Sequence, residues 1–147
     1  MKLVAAALLL VACGHHSDHA VAKDDAKKIL IDRNWVDRWP TTKTEKLHVY
    51  RFVPNMGGGV FQDRTVFKGT FELFRFDVDG DAIDFDLPET DQHVHSKFHI
   101  EKVDGPKPFD LKLVVENDPR GPHEYYGILA EHDPDGAALE AKLKLLR

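Results

Sequence analysis

The chain has a single cysteine, so no internal disulfide framework is available to it. No apolar run reaches the roughly 20 residues that a membrane-spanning helix requires. Positive charge is not in excess: 20 Lys and Arg face 25 Asp and Glu, for a net charge of −5. No basic patch stands out either, so nucleic acid is not an expected partner. Nucleophile and metalloprotease signatures are missing, with no G-x-S-x-G and no H-E-x-x-H. Gly57-Gly58-Gly59 lacks the Lys and the following helix of a phosphate loop. The scattered carboxylates single out no acid–base pair. These absences argue against an enzyme. The 147 residues are still enough for one domain with its own core.

The first segment, Met1 to Cys13, reads MKLVAAALLLVAC. Lys2 supplies a short positive start, and Leu3 to Val11 is an apolar stretch of secretion-signal length. Leu10-Val11-Ala12-Cys13 resembles the lipobox of bacterial lipoproteins. That resemblance implies a signal peptide over 1–12 and cleavage before Cys13. It also implies a covalent lipid, palmitate among its acyl chains, on the Cys13 sulfur. A lipidated Cys13 cannot serve as a nucleophile, and two or more acyl chains anchor a protein stably to a membrane. Gly14 rather than Asp follows the cysteine. In the same family this favours the outer membrane, facing the periplasm, of a Gram-negative cell envelope.

Residues 13–25 are polar and read as a flexible tether, with the domain occupying 26–147. Ala26 to Asp32 suits a short helix capped by Asp24 or Asp25. Trp35 and Trp39 lie close together and read as large rings sealing one end of a core.

Beyond them the pattern is that of strands. Leu47–Val53 and Val60–Phe67 come first. Lys68 to Pro88 then reads as a hairpin turning at Asp79-Gly80. A turn there sets Phe76 opposite Ile83, Phe74 opposite Phe85 and Arg75 opposite Asp84. Further strands are expected over His93–Val103, Phe109–Glu116 and Glu124–Glu131, each bounded by Gly and Pro turns. Ala137–Arg147 alternates like a strand at Leu139, Ala141, Leu143 and Leu145 and also shows helical spacing at Leu139, Leu143 and Leu146; with no β-branched residue, a helix is the expectation. About seven sequential strands make an antiparallel up-and-down meander, which hides its edges by closing into a barrel. In the third strand the apolar positions change parity, from Phe67, Phe71 and Leu73 to Phe74, Phe76 and Val78. A bulge or bend near Leu73 would produce that change.

Trp35 ahead of the first strand, Lys68-Gly69-Thr70-Phe71-Glu72 and Tyr125-Tyr126-Gly127 together resemble the small lipocalin-like (calycin) barrels. The Gly-x-Trp of lipocalins is replaced here by Arg33-Asn34-Trp35. The resemblance implies a barrel whose interior, lined by Trp35, Phe52, Phe74, Phe76, Phe85, Phe98 and Phe109, either takes a small apolar ligand or is filled. A filled barrel would serve instead to dock a protein partner of the envelope.

Histidine offers a second reading. His15, His16 and His19 form a tract after the cysteine, and His93 and His95 share one strand face. Imidazoles at such spacings bind zinc or copper, and a His-rich N-terminal tract joined to a calycin barrel resembles some periplasmic metal-handling proteins. The same histidines also suit a solvated tether and a polar outer face. Arg120 and His123, in a Pro- and Gly-rich loop, are placed either to meet a ligand at the barrel mouth or to form a loop salt bridge.

Overall fold

The computed structural model describes residues 19–147. The signal segment 1–12, Cys13, His15 and His16 lie outside the described residues. The elements are α1 (Lys23–Leu30), β1 (Trp35–Val36), β2 (Leu47–Val53), β3 (Gly58–Arg64), β4 (Gly69–Asp79), β5 (Ala82–Leu87), β6 (Gln92–Lys102), β7 (Leu111–Val115), β8 (Glu124–Gly127) and α2 (Ala138–Leu145). The eight strands form a closed barrel in sequence order. Each strand is antiparallel to the next, and β1 meets β8 through Val36 and Tyr126.

The expected mainly-β barrel with two helices is therefore present, with one strand more than the alternation reveals. That strand is Trp35–Val36, paired with Tyr50 and Val49 on one side and Tyr126 on the other. Two residues are too few to display a period, so only closure of the barrel makes them a strand.

The hairpin of β4 and β5 turns one residue later than expected. Asp79 pairs with Ala82, leaving Gly80-Asp81 as the two-residue loop. Gly80 takes φ +59 at the first central position, as a II′ turn requires. Phe76 therefore lies opposite Phe85, Val78 opposite Ile83 and Arg75 opposite Asp86. The Arg75 guanidinium reaches Asp86 at 2.6 Å, not Asp84. The pairing has slipped by two positions, so every side chain keeps the expected face.

The parity change in β4 is not a bulge. The strand runs unbroken from Gly69 to Asp79, pairing with β3 as far as Phe74 and with β5 from Arg75. Such stagger between neighbours is what closes a barrel. Glu72, Phe74, Phe76 and Val78 point inward along one face. Phe71 and Leu73 consequently point outward, 68% and 60% exposed, and Phe67 in the preceding turn is 63% exposed.

Two cores result. Inside the barrel Trp35, Tyr50, Phe52, Phe74, Phe85 and Phe98 are buried together with Ile83, Ile100, Leu111, Leu113 and Val115. Outside the wall, Leu139 and Leu143 of α2 pack on Val36, Leu47, Val49, Val66 and Phe109. Phe109 is thus not an interior residue. It precedes β7 and lies beneath α2, edge-on to Trp39 at 5.1 Å. The Asp133 carboxylate accepts from the backbone N–H groups of Ala137 (3.0 Å) and Ala138 (3.3 Å), which fixes the start of α2.

The domain also begins earlier than residue 26. Val21 N–H donates to Ile100 at 2.9 Å, Lys102 N–H donates to His19 at 2.9 Å, and α1 starts at Lys23. The domain end of the expected tether is therefore docked along β6. Neither Asp24 nor Asp25 is the helix cap; both sit in its first turn, where carboxylates favour the positive end of the helix dipole. Ala26 and Leu30, one helical turn apart, are the buried positions of α1. Lys27 Nζ donates to the carbonyl of Val78 at 2.9 Å and Lys23 pairs with Asp81 at 2.8 Å, which holds α1 over the β4–β5 end of the barrel.

Candidate functional site

The barrel interior is the first place to look, and side chains of the protein itself occupy it. Tyr50, on β2, is the centre. Its ring lies 5.3 Å from Phe52, 4.9 Å from Phe61, 5.6 Å from Phe74, 5.9 Å from Phe85 and 5.0 Å from Tyr125. Phe76, half-buried, meets Phe52 edge-on at 5.1 Å. Rings at these separations are in contact, most of them edge-to-face or tilted, as aromatic quadrupoles prefer.

Each end carries a buried, hydrogen-bonded side chain. At the α1 end, Trp35 is fully buried and its Nε1–H donates to the Leu30 carbonyl at 3.0 Å. Gly127 lies against its ring: a Cβ there would come within 2.8 Å of the indole. Arg33 stacks above Trp35 at 5.8 Å and donates from Nη1 to the Ile128 carbonyl at 2.8 Å. Burial lowers the Arg33 pKa, and nearby Asp110 opposes that shift.

At the other end the loop after β7 folds inward around Asp118. Its two carboxylate oxygens accept from Tyr50 Oη (2.9 Å), Tyr125 Oη (2.6 Å), Arg120 N–H (2.9 Å) and His123 N–H (3.0 Å). Arg120 pairs with Glu72 of β4 and lies over the Phe61 ring at 5.0 Å. His48 adds a second layer, stacked on Phe61 at 5.8 Å and bonded to Asp37 through Nδ1 at 2.8 Å. Burial, and then the neighbouring Asp118 carboxylate, pushes the Tyr50 phenol well above its ordinary range. Burial, then Tyr50 and Asp118, does the same to Tyr125. Both phenols therefore act as donors, and a carboxylate engaged by four donors is a structural clasp.

Of the two placements open to Arg120, the loop salt bridge is the observed one. Asp118 carries no motif, and Glu72 enters the sequence reading only as the end of Lys68–Glu72. Glu72 leaves a trace, since it occupies an inward position of a strand otherwise lined by Phe74, Phe76 and Val78. A carboxylate at such a position calls for a cation.

His93 and His95 point outward from β6, and each faces its register partner on β5. His95 Nδ1 lies 2.6 Å from Asp84, and His93 Nδ1 lies 3.5 Å from Asp86. The pairing places a carboxylate beside each imidazole. Among the described residues no three His, Cys, Asp or Glu side chains gather as a metal site. His19 joins the end of β6 through its carbonyl.

Open space lies at the α1 end of the barrel and on its outer wall. A cleft of about 510 Å³ runs between Ala20–Ala26 and Gly80, Lys97 and Phe98. A shallower groove of about 280 Å³ runs beneath Phe67 and Phe71, between Val60, Arg64, Lys68 and Arg147. No protein family, curated protein or solved structure matches this chain.

Proposed function

We propose that the protein is a lipid-anchored, non-enzymatic barrel of the bacterial cell envelope that works by docking through its outer surface. One observation carries the choice between docking and ligand carriage. The interior is taken up by the rings around Tyr50, while Phe67, Phe71 and Leu73 stand exposed on the outside. A carrier of the lipocalin-like kind needs room inside a barrel of this size. A docking module needs a rigid scaffold and an exposed apolar patch. The barrel ends, each held by a buried hydrogen-bonded group, supply the rigidity.

The anchor is the lipid expected on Cys13, supported by the lipobox-like Leu10–Cys13 and by the absence of any other thiol. Labelling with a fatty acid followed by membrane fractionation tests it. The native protein takes up label and sediments with membranes; Cys13→Ser takes up none and is released. Unlabelled native protein, or a Cys13→Ser protein still bound, would overturn the anchor.

A further inference from the structure

The exposed face of β4 deepens that reading and rests on it. Phe67 and Phe71 flank the β3–β4 turn region, and Leu73 continues the row. Register sets Leu73 opposite Val60, and Val60 opposite Arg51, so apolar and cationic residues share one cross-strand line. The groove under Phe67 and Phe71 is lined by the cationic side chains of Arg64, Lys68 and Arg147. Arg64 is held from the side by Glu140 at 2.9 Å. In a chain of net charge −5 this is a local reversal of sign.

We infer that the outer face of β4 seats on an anionic lipid surface, with Phe67, Phe71 and Leu73 entering the interface and Lys68, Arg147 and Arg51 meeting lipid phosphates. Phe and Leu backed by Lys and Arg is the composition of interfacial membrane-binding surfaces. A second copy of the chain fits worse, because two such faces would bring like charges together. Five residues lie between Cys13 and His19, which is docked on β6, and the six Cα–Cα steps span at most about 20 Å. An acylated cysteine and a basic apolar face would then be the two signals that together give stable anchoring.

The test uses the full acylated protein in vesicles of phosphatidylcholine, with or without phosphatidylglycerol, whose acyl chains carry bromine. Phe71→Trp places a reporter on the face, and the native protein gives the background of buried Trp35 and half-buried Trp39. Vesicle flotation and the mass of the acylated N-terminal peptide check the anchor independently. With the anchor intact, the added emission shifts to the blue and is mostly quenched in phosphatidylglycerol vesicles. Combined Lys68→Glu and Arg147→Glu substitutions abolish both effects. These positions are on the outer face, and an unchanged circular dichroism melt confirms that the barrel stands. Floating protein whose introduced reporter stays unquenched would overturn the inference while leaving the anchor. Equal quenching in vesicles of phosphatidylcholine alone would overturn its anionic component. A blue shift without lipid, together with a dimeric mass, would assign the face to a second copy. Zero-length cross-linking of the Lys68 amine to a carboxylate of another envelope protein in cells, without lipid quenching, would assign it to that protein.

Discussion

At the scale of single residues, Asp118 does more for this fold than any residue with a recognisable motif. It is 8% exposed and ties the loop after β7 to Tyr50 on β2 and Tyr125 on β8. Asp118→Ala leaves two phenols and two backbone N–H groups without their acceptor. At about 1–3 kcal/mol for each unsatisfied buried group, the loss exceeds about 3 kcal/mol even after water re-enters. Asp118→Asn keeps the shape and one acceptor, and costs less. Urea unfolding midpoints at constant m-value measure both. The two tyrosines also set a limit at high pH. Their folded pKa values are raised, so the neutral phenol is favoured in the fold. The unfolded chain releases those protons from about pH 10. Stability is therefore complete below that pH and falls as pH rises beyond it, because the unfolded state then binds fewer protons than the native one. Phenolate absorbance should show Tyr50 and Tyr125 titrating only as the protein unfolds in base. Tyr50→Phe and Tyr125→Phe identify their contributions.

At the scale of elements, the alternating strands β2 through β8 are legible because each buries one face and exposes the other. Two features were not legible. β1 is too short to show a period, and its role depends on β8, which lies near the other end of the chain. The β4–β5 register was off by two positions because Asp79-Gly80 and Gly80-Asp81 are both acceptable turn dipeptides, and both choices bury the same side chains. Long-range contacts break the tie: Asp81 is held by Lys23, and β6 pairs along the whole of β5. The packing of β8 on β1 gives a direct prediction. Gly127→Ala drives a methyl into the Trp35 ring, and overpacking of this kind costs about 1–3 kcal/mol. Thermal unfolding measures it. Trp35→Phe in the same chain should recover part of the loss, because the smaller ring leaves room for the methyl.

At the scale of the whole molecule, a filled barrel and an open one predict opposite responses to truncation. Phe74 lies 5.6 Å from Tyr50, 5.5 Å from Phe52 and 5.7 Å from Phe85. Phe74→Ala removes the middle of that cluster at a cost of about 3–5 kcal/mol and leaves an apolar cavity. Such cavities stay dry and bind small apolar molecules. Benzene titrated into the variant should raise its melting temperature, while the native protein shows no change. A native protein stabilised by benzene or by a long-chain fatty acid would restore ligand carriage as the function.

The residues alone determined the barrel class, the inward Phe positions of β4, β5 and β6 and the lack of a catalytic motif. These follow from local periodicity and composition, which act over a few residues. The tertiary structure decided the eighth strand, the hairpin register, the place of Phe109 beneath α2, and the outward direction of Phe71 and Leu73. It also decided that Asp118 and Glu72 hold the end of the barrel shut. Each of those depends on which distant strand comes to lie alongside. Asp118 and Tyr50 are separated by 68 residues, and only closure of the sheet brings phenol and carboxylate within hydrogen-bond reach.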